Sequence, residues 1–412
     1  MSKVEWSSRL QFLVIIASAV ICWNYWLPTL IVTFCPSAAT YYGFDSADFN
    51  IFYVAGSSWL SHQNPYLNTY PGQFVYSPTL LPLYGMFALL DSNLAPLVWM
   101  AFYFAIFVIA SFLVAFTLQG EKRSLFVSIL PLLFFTSFPL LILMELGQSD
   151  LLVASLSVIS LAIIRIKHKQ KFLSAFFLSL AVLMKSMPVF LLIYFVVYRR
   201  DVRYLIDFVV STLVLVGLSM LVVPVAWYSY FLLNVVPVLS IVSAQPMNQS
   251  IVRYVSLEGF SQVSSLVSIA GAVLLSLFLF LAGSERFSTT LNRPLRDDAC
   301  FLLNVLVMLI LGPRSWPATY VWVILPMALF LSNLLTQHVR RWYLALVAIA
   351  VTLLSSTLVQ FFLVESVVMS NHMQLFELPL LVIGNLVMIA SLITLIIGER
   401  HISPSLGGTT PI

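Results

Sequence analysis

Two aspartates in one short polar stretch are the residues of this chain best suited to acid–base chemistry. Asp45 and Asp48 lie in YYGFDSADFNIFYVAG, and their spacing of three places both carboxylates on one side of a helical turn. One interpretation is helix capping, with Asp45 or Ser46 at the N-cap and Asp48 in the first turn. The other is that one carboxylate is a general base, with its pKa tuned by the aromatic surroundings. The spacing leaves both interpretations open.

A second group of polar residues lies within apolar sequence. Gln148 and Asp150, in LMELGQSDLL, either cap the helix that begins at Asp150 or hydrogen-bond a polar substrate. Lys185 lies near the middle of an apolar stretch, where water is too distant for its ammonium group to reach. We therefore expect Lys185 to bind either a substrate phosphate or a buried carboxylate.

Other candidates lie in polar segments between the apolar runs. Arg253, in NQSIVRY, and Arg314, in GPRSW, are either loop charges or phosphate ligands, because a guanidinium group binds phosphate through parallel N–H groups. Aromatic side chains near these segments suit either an interfacial belt or a cleft that stacks a sugar ring. The residues predicted to bind substrate are Tyr66, Tyr76, Gln148, Asn248, Gln249, Trp316 and Tyr320. No set of side chains has the spacing of a metal site, so no metal or other cofactor is expected.

The composition of the chain is that of a membrane protein. Of its 412 residues, 61% are hydrophobic and 9% are charged, and the mean hydropathy is +1.01. Soluble domains contain about 25% charged residues. Because each helical crossing needs about 20 apolar residues, the long apolar runs predict an all-α polytopic protein. The net charge of +4 is carried in short loops and does not indicate a nucleic-acid partner, and the three cysteines predict no disulfide.

Short basic stretches, which are typical of cytoplasmic loops, determine the predicted topology. They lie at 3–9, 121–123, 165–171, 199–203, 284–296, 338–341 and 399–401. Placing all of them in the cytoplasm predicts about twelve crossings, with a retained first helix over 10–34 and both termini inside. A single membrane domain is expected over 1–402, followed by a short polar tail at 403–412. The remaining polar clusters then fall on the outer, periplasmic face of an inner or plasma membrane.

Two segments do not fit simple crossings. Residues 172–198 are too long for one span and too short for two, so they predict two short helices that meet at Lys185-Ser186-Met187-Pro188. The apolar run 78–91 predicts a partial or tilted insertion. Irregular backbone at membrane depth is tolerated only against protein or a wet cavity. Together with the outer polar clusters, these segments indicate one outward-facing site.

A series of short motifs follows in order along residues 48–325. They are DFNIFYVAG with FVYSPTLLPLYGMFALL, Gly147-Gln148, Lys185-Ser186-Met187-Pro188, Asn248-Gln249-Ser250 with Arg253, and Ser315-Trp316. The ordered set resembles GT-C glycosyltransferases of the family 87 type, which include polyprenyl-phosphate-mannose-dependent mannosyltransferases and related arabinofuranosyltransferases. The resemblance implies a GT-C-like bundle of about 12 transmembrane helices, with broken helices and an outer layer of loops and helices.

The resemblance also implies a reaction. A single sugar, mannose or another hexose, would pass from a polyprenyl-phosphate donor to an envelope lipid or glycan, with inversion and without a metal. The catalytic aspartate of the family falls on Asp48, and Lys185, Arg253 and Arg314 become candidates to bind the donor phosphate. The family usually has a histidine two or three positions after the tryptophan of the last motif. This chain has Ala318 and Thr319 there, which leaves the sugar and the acceptor open.

Two other classes of membrane protein use similar residues. A transporter or flippase for lipid-linked glycans would place charges on both sides of the membrane centre and is often built from internal repeats, which this sequence does not show. A glycan polymerase or ligase would rely on arginines and histidines of its outer loops rather than on an aspartate of the first loop. Both remain alternatives to a glycosyltransferase.

Overall fold

The computed structural model describes most of the chain. The described residues are 47–68, 74–239, 241–242, 248–257, 261–284, 292–337, 339–355 and 380–398. Within these ranges the protein is built from helices and contains no β-strand. Asp45, the predicted first helix over 10–34 and the predicted tail at 403–412 lie outside the described residues.

The α-helices are numbered in chain order. The first nine are α1 Ala47–Leu60, α2 Pro65–Asn68, α3 Leu81–Ala88, α4 Ala95–Thr117, α5 Glu121–Phe135, α6 Phe138–Leu146, α7 Asp150–Ile166, α8 Lys171–Met184 and α9 Val202–Ser219. They are followed by α10 Val225–Tyr230, α11 Val236–Leu239, α12 Ile251–Leu257, α13 Ser261–Ala282, α14 Arg293–Leu311, α15 Ile324–Leu334, α16 Arg341–Ser355 and α17 Leu380–Gly398. Shorter elements are 3-10 helices at Pro78–Leu80, Met187–Phe190 and Pro317–Val323, and π-helices at Ile193–Tyr198 and Phe231–Val235.

Three helical segments form the centre of the molecule. In α7, every residue from Asp150 to Ile164 is buried, and α14 is buried along most of its length. The 3-10 helix Pro317–Val323 and α15 continue one into the other and are also buried almost throughout. A helix that is apolar on all sides is covered either by protein or by lipid. In this protein α4 and α8 pack against α7, while α13, α15 and α17 pack against α14.

The peripheral helices expose apolar side chains. On α4, α9 and α13 these side chains include Phe112, Phe116, Val209, Leu213, Leu266 and Leu274. Exposing such surface to water costs about 25 cal/mol per Å², so these faces suit the hydrocarbon of a bilayer instead. The exposed faces and the all-helical architecture confirm the predicted fold class, an all-α membrane protein.

Fewer helices meet the length of a full crossing than the sequence predicts. Among the described residues, four stretches are long and apolar enough to cross a membrane: Ala95–Thr117, Val202–Ser219, Val263–Ala282 and Pro317–Leu334. The pair α6 and α7 is a fifth if it is counted as one broken span. Five further apolar helices are shorter. The number of about twelve crossings therefore stays a prediction, as does the single domain over 1–402.

The breaks predicted from the sequence are present. The helix α8 ends at Met184, and Pro188 lies in the 3-10 helix that follows, because proline lacks the N–H that an α-helix needs. The chain also breaks between α6 and α7 and between α14 and Pro317. One break was not predicted: α5 ends at Phe135, and Ser137 caps α6 by accepting a hydrogen bond from the Leu140 N–H at 3.3 Å.

Candidate active site

The carboxylate of Asp48 contacts a residue 100 positions later in the chain. Asp48 lies in the first turn of α1, and its Oδ2 accepts a hydrogen bond from Nε2 of Gln148. Burial raises the pKa of the Asp48 carboxyl above its ordinary value, although the Lys185 ammonium and the Gln148 hydrogen bond lower it. A partly buried carboxylate with a raised pKa is suited to act as a general base.

The turn between α6 and α7 carries Gln148 to this position. Gly147 ends α6 with φ of 68°, a left-handed conformation that favours glycine. A Cβ atom on Gly147 would lie 2.7 Å from Cβ of Phe49 on α1, so only glycine allows the two segments to approach this closely. The carbonyl of Gly147 also accepts a hydrogen bond of 3.0 Å from Nε1 of Trp99. At this turn α6 and α7 are bent by 120° relative to each other, which places Gln148 beside the start of α1.

Lys185 is held by a buried aspartate at the start of the neighbouring helix. Its Nζ donates to Oδ2 of Asp150 at 2.6 Å and to Oε1 of Gln148 at 3.2 Å. The Asp150 side chain is completely buried, and its Oδ1 accepts a hydrogen bond of 3.1 Å from Nε1 of Trp322. The sequence left two possible partners for Lys185, a substrate phosphate and a buried carboxylate. The structure shows the carboxylate, so Asp150 already compensates the charge of Lys185.

These contacts form one chain of side chains, which we call the Asp48–Trp322 network. It runs from Asp48 through Gln148, Lys185 and Asp150 to Trp322. An ammonium group has three N–H donors, and two of them are used by Gln148 and Asp150. The Lys185 side chain is 15% exposed, so its third donor is available to an oxygen atom of a bound molecule. A base and a cation are thus linked by a single glutamine.

Tyr76 and Arg314 lie close to this network. Burial and the neighbouring Tyr84 raise the pKa of the Tyr76 phenol well above its ordinary value. The carboxylates of Asp48 and Asp150 raise this pKa further, whereas the Arg314 guanidinium lowers it. These effects fall off with distance, so Tyr76 lies near the two carboxylates and near Arg314.

The loop that carries Arg314 is held by Asn248 and Gln249. Oδ1 of Asn248 accepts from the Ser315 N–H at 2.9 Å, and its Nδ2 donates to the Pro313 carbonyl at 2.8 Å. The Gln249 N–H donates to the Ser315 carbonyl at 2.7 Å. Two residues predicted to bind substrate therefore position the backbone on both sides of Arg314.

The guanidinium group of Arg314 uses a donor on Nη2, whereas the donor on Nε is unused. Its Nη2 donates to the carbonyl of Val238 at 2.8 Å, while its Nε is buried and has no hydrogen-bond partner among the described residues. The same loop packs on the break after Lys185, because a Cβ atom on Gly312 would lie 2.5 Å from Cε of Met187. The loop and the break therefore close one side of the same site.

Comparison with known protein families identifies the family of the chain. A family model described as glycosyltransferase family 87 matches residues 74–313, which is more than half of the chain. The chain belongs to glycosyltransferase family 87. The resemblance found in the sequence is thereby confirmed, and the protein is a membrane glycosyltransferase that acts on a sugar donor and an acceptor. A comparison with curated proteins finds no match.

The family 87 match covers only part of the site. Gln148, Lys185 and Arg253 lie inside it, whereas Asp48 precedes it and Trp316 follows it. In this family 87 protein the Gln148 hydrogen bond joins Asp48 to the matched part. Asp48 therefore contacts the matched part of the chain, and its role in the site stays a prediction.

Arg253 lies on the helix that directly follows residues 248–250. It lies on α12, is only 4% exposed, and stacks its guanidinium group on the ring of Tyr254 at 5.1 Å. The segment 248–250 connects α12 directly to the loop of Arg314. A role of Arg253 in phosphate binding by the family 87 enzyme stays a prediction.

The predicted aromatic residues are not equally accessible. Tyr66 is 5% exposed, and its hydroxyl donates to the carbonyl of Tyr76 at 2.6 Å, which fixes the position of Tyr76. Tyr320 is 1% exposed and donates to the carbonyl of Gln249 at 2.8 Å. Trp316 is partly exposed, directly before the 3-10 helix. Of these three side chains, Trp316 is the one open to a substrate.

The positions of the missing family histidine are buried. Ala318 is fully buried, and Thr319 is 1% exposed with an Oγ1 that has no hydrogen-bond partner among the described residues. Small buried side chains therefore occupy the positions at which the family usually has a histidine.

The sequence does not predict the contact between Asp150 and Trp322. The sequence predicts Asp150 as a helix cap or a substrate contact, and it gives no role to Trp322, because VWVILP is an ordinary apolar run. A tryptophan that donates to a buried carboxylate has no local sequence signature. Only its position opposite α7 in the fold reveals it.

The described residues contain no group of three or more histidine, cysteine, aspartate and glutamate side chains that could hold a metal ion. Asp48 and Asp150 contact Gln148 and Lys185 instead. The expectation of a reaction without a metal stays a prediction.

Proposed function

We propose that this enzyme transfers one sugar from a polyprenyl-phosphate donor to a hydroxyl group of a lipid or glycan acceptor at the outer face of the membrane. The observation that carries the proposal is the Gln148 bridge between the Asp48 carboxylate and the Lys185 ammonium. Such transfer requires a base at the acceptor and positive charge at the leaving phosphate. The bridge provides both groups within one partly buried site.

In the proposed reaction Asp48 accepts the proton of the acceptor hydroxyl. The hydroxyl oxygen forms a bond to the anomeric carbon, and the bond from that carbon to the phosphate oxygen breaks. The electron pair of the broken bond passes to the phosphate, which leaves as polyprenyl phosphate. Because attack comes from the face opposite the phosphate, the anomeric configuration is inverted. Phosphate is a good leaving group, so one carboxylate is sufficient where a glycosidase uses two.

Two cations are available to stabilise the departing phosphate. Lys185 has one remaining N–H, and its position is fixed by the buried Asp150. Arg314 has a buried Nε without a described partner. Donors that are already in place when negative charge develops contribute strongly to catalysis. Arg253 is a third candidate, connected to Arg314 through the segment 248–250.

The remaining predicted residues would shape the substrate pocket. Trp316 is partly exposed, lies two positions after Arg314, and suits stacking on a sugar or on the first isoprene units. Tyr76 is close to both Asp48 and Arg314, which makes it a candidate to contact the bound sugar. The absence of a histidine at Ala318 and Thr319 is expected to alter which sugar or acceptor fits.

The test is a transfer assay with membranes that contain the enzyme. A panel of labelled polyprenyl-phosphate hexoses is supplied, and the products are separated by size. The proposal expects addition of one sugar at a time, with the inverted anomeric configuration. Movement of the donor across the membrane without a new glycosidic bond would instead indicate a flippase. Transfer of a whole oligosaccharide would indicate a polymerase or ligase.

A further inference from the structure

A second polar site lies at the other end of α7 from Asp150. Asp150 is the first residue of α7 and Arg165 lies in its last turn, about 22 Å away at 1.5 Å per residue. Around Arg165 is an open cavity of about 630 Å³. Its size is within the range of small-molecule sites. The cavity is far from the Asp48–Trp322 network and has no part in the proposed transfer reaction.

The cavity carries an excess of positive charge. Its basic residues are Lys122, Arg165, Arg199, Arg200, Arg293 and Arg296, and its only acidic residues are Asp297 and Asp298. With His168 neutral, the lining has four more positive than negative charges. Such a cavity attracts anions and repels cations.

The two aspartates are already paired. Asp297 contacts Arg165 at 2.7 Å and Arg199 at 3.8 Å, and Asp298 contacts Arg165 at 2.5 Å. Within the part of the chain that the structure describes, no carboxylate forms an ion pair with Lys122, Arg200 or Arg293. No described carboxylate neutralises Lys122 or Arg293, while Arg200 donates a hydrogen bond of 3.4 Å to the carbonyl of Phe280.

Two observations show that the cavity is organised. The Nε of Arg165 is buried and has no hydrogen-bond partner among the described residues, although both terminal nitrogens of this side chain are held by aspartates. Arg200 has φ of 55° and places its guanidinium group 4.6 Å above the ring of Phe280. Arg165 is thus fixed in position before any ligand binds, and Arg200 packs against Phe280.

The chemistry of the lining selects phosphate. Guanidinium groups bind phosphoryl oxygens through parallel N–H groups, and a cluster of them is typical of phosphate sites. Two exposed rings beside lining residues indicate where the phosphate comes from. Phe280, on which Arg200 stacks, is 49% exposed, and Phe116, directly before Thr117, is 66% exposed. These rings lie in the last turns of α13 and α4, two helices that are long enough to cross the membrane, so the cavity lies at the level expected for lipid headgroups.

We propose that this cavity binds a phosphoryl group, carried by the headgroup of an anionic membrane lipid. The cations come from α5, α7, the segment after the π-helix Ile193–Tyr198, and α14. A bound phosphate joins these four segments, so it stabilises the folded protein. The basic stretches that contribute are those predicted to face the cytoplasm, which is where anionic lipids are concentrated.

The test uses the full-length protein in phosphatidylcholine nanodiscs with and without phosphatidic acid. Native mass spectrometry measures how many phosphatidic acid molecules stay bound, and a second arm measures the unfolding temperature in phosphatidylcholine alone after addition of inorganic pyrophosphate. The cavity variant is Lys122→Gln with Arg293→Gln. The matched control is Lys169→Gln with Arg203→Gln, which removes the same charge from exposed positions at the same end but outside the cavity.

The expected result is about 30-fold weaker retention of phosphatidic acid by the cavity variant, from the loss of two cationic contacts, with the control unchanged. If pyrophosphate raises the unfolding temperature of the wild type but not of the cavity variant, and phosphatidic acid is not retained, the phosphate comes from a soluble ligand. Equal losses in both variants, or no binding of either probe, would overturn the proposal. Sugar transfer is assayed separately, so failure of this site is distinguishable from failure of the proposed function.

Discussion

At the scale of single residues, Asp48 depends on Gln148. The amide group of Gln148 donates to Asp48 and accepts from Lys185, so one side chain fixes the base and orients the cation. Burial raises the pKa of Asp48, and the hydrogen bond from Gln148 opposes this effect. Because the base must be ionised, activity is expected to fall as the pH drops through this raised pKa.

The variant Gln148→Leu tests this dependence. Removing the hydrogen bond removes an effect that lowers the pKa of Asp48. The acidic limb of the rate profile is therefore expected to move to higher pH, and the maximal rate to fall by about tenfold or more. The measurement is kcat/KM for sugar transfer against pH.

The control for Gln148→Leu is Gln170→Leu. It removes an exposed amide directly before α8, at the end of that helix opposite Lys185. Its pH profile should match that of the wild type. An acidic limb that stays in place in Gln148→Leu would show that Gln148 does not influence the base.

The residue types at the site could be predicted from the sequence, whereas their partners could not. Asp48, Gln148 and Lys185 were identified because polar groups are costly in apolar sequence. Their contacts join positions 100 and 37 residues apart, and Asp150 and Trp322 are 172 residues apart. Only the folded arrangement of α1, α7, α8 and Pro317–Val323 brings these side chains together.

At the scale of elements, the ion pair between Lys185 and Asp150 connects the end of α8 to the start of α7. Truncation of Lys185 would leave the Asp150 carboxylate buried without its cation. Such a loss costs about 3–5 kcal/mol. The variant Lys185→Met is therefore expected to lower the free energy of unfolding by this amount and to abolish transfer.

Two further variants separate the structural from the chemical role of Lys185. Lys171→Met breaks the more exposed pair with Asp201 at the other end of α8, and it should cost less than about 1 kcal/mol. The double variant Lys185→Met with Asp150→Leu removes both buried charges, so it should recover stability but not transfer. Recovery of transfer in the double variant would contradict a role for Lys185 in catalysis.

The turn at Gly147 is a second element on which the site depends. In Gly147→Ala the new Cβ would meet Phe49, in addition to the strain of a positive φ. The strain alone costs about 1–2 kcal/mol. We expect displacement of α1 from the α6–α7 turn and a loss of transfer that exceeds any loss of folded protein.

Gly120→Ala is the strain control for the turn. Gly120 has φ of 55° and ψ of −130°, a conformation less favourable for alanine than the φ of 68° and ψ of 29° at Gly147, but a Cβ atom there would meet nothing within 4 Å. Gly120→Ala should therefore lower stability without the loss of transfer expected for Gly147→Ala. Unfolding temperature and transfer rate are measured for both variants. Equal effects would mean that the close approach to Phe49 is not required.

The breaks between elements were predictable to different degrees. Those at Gly147 and at Pro188 carry the residue types that end helices. The break at Thr136-Ser137 has the same kind of signal, a serine two positions before Pro139, but it lies inside a long apolar run. Continuous hydrophobicity concealed a cap that is clear in the structure.

At the scale of the whole molecule, the composition identified a helical membrane protein, and the structure confirms it. The number of crossings was harder to predict, because central segments such as α7 are covered by protein on every side rather than by lipid. Hydropathy does not distinguish these two environments. The basic cavity was also not predictable, since its cations come from four separate segments.

The proposed orientation can be tested by labelling. Ser92 lies in the exposed turn before α4, and Lys169 lies in the exposed turn between α7 and α8. In a cysteine-free background, a membrane-impermeant maleimide applied to intact cells should label Ser92→Cys but not Lys169→Cys. After the membrane is opened, both should be labelled. Labelling of Lys169→Cys alone in intact cells would reverse the orientation and place Asp48 on the cytoplasmic side.

The most direct test of the account is the transfer rate of Asp48→Asn. This substitution keeps the size of the side chain and removes the base, so the rate is expected to fall by about 10²–10⁴-fold, while the unfolding temperature stays close to that of the wild type. Asp45→Asn and Asp91→Asn, which change other aspartates, should retain transfer. A wild-type rate in Asp48→Asn, with loss of transfer in Asp45→Asn, would contradict the assignment of the base.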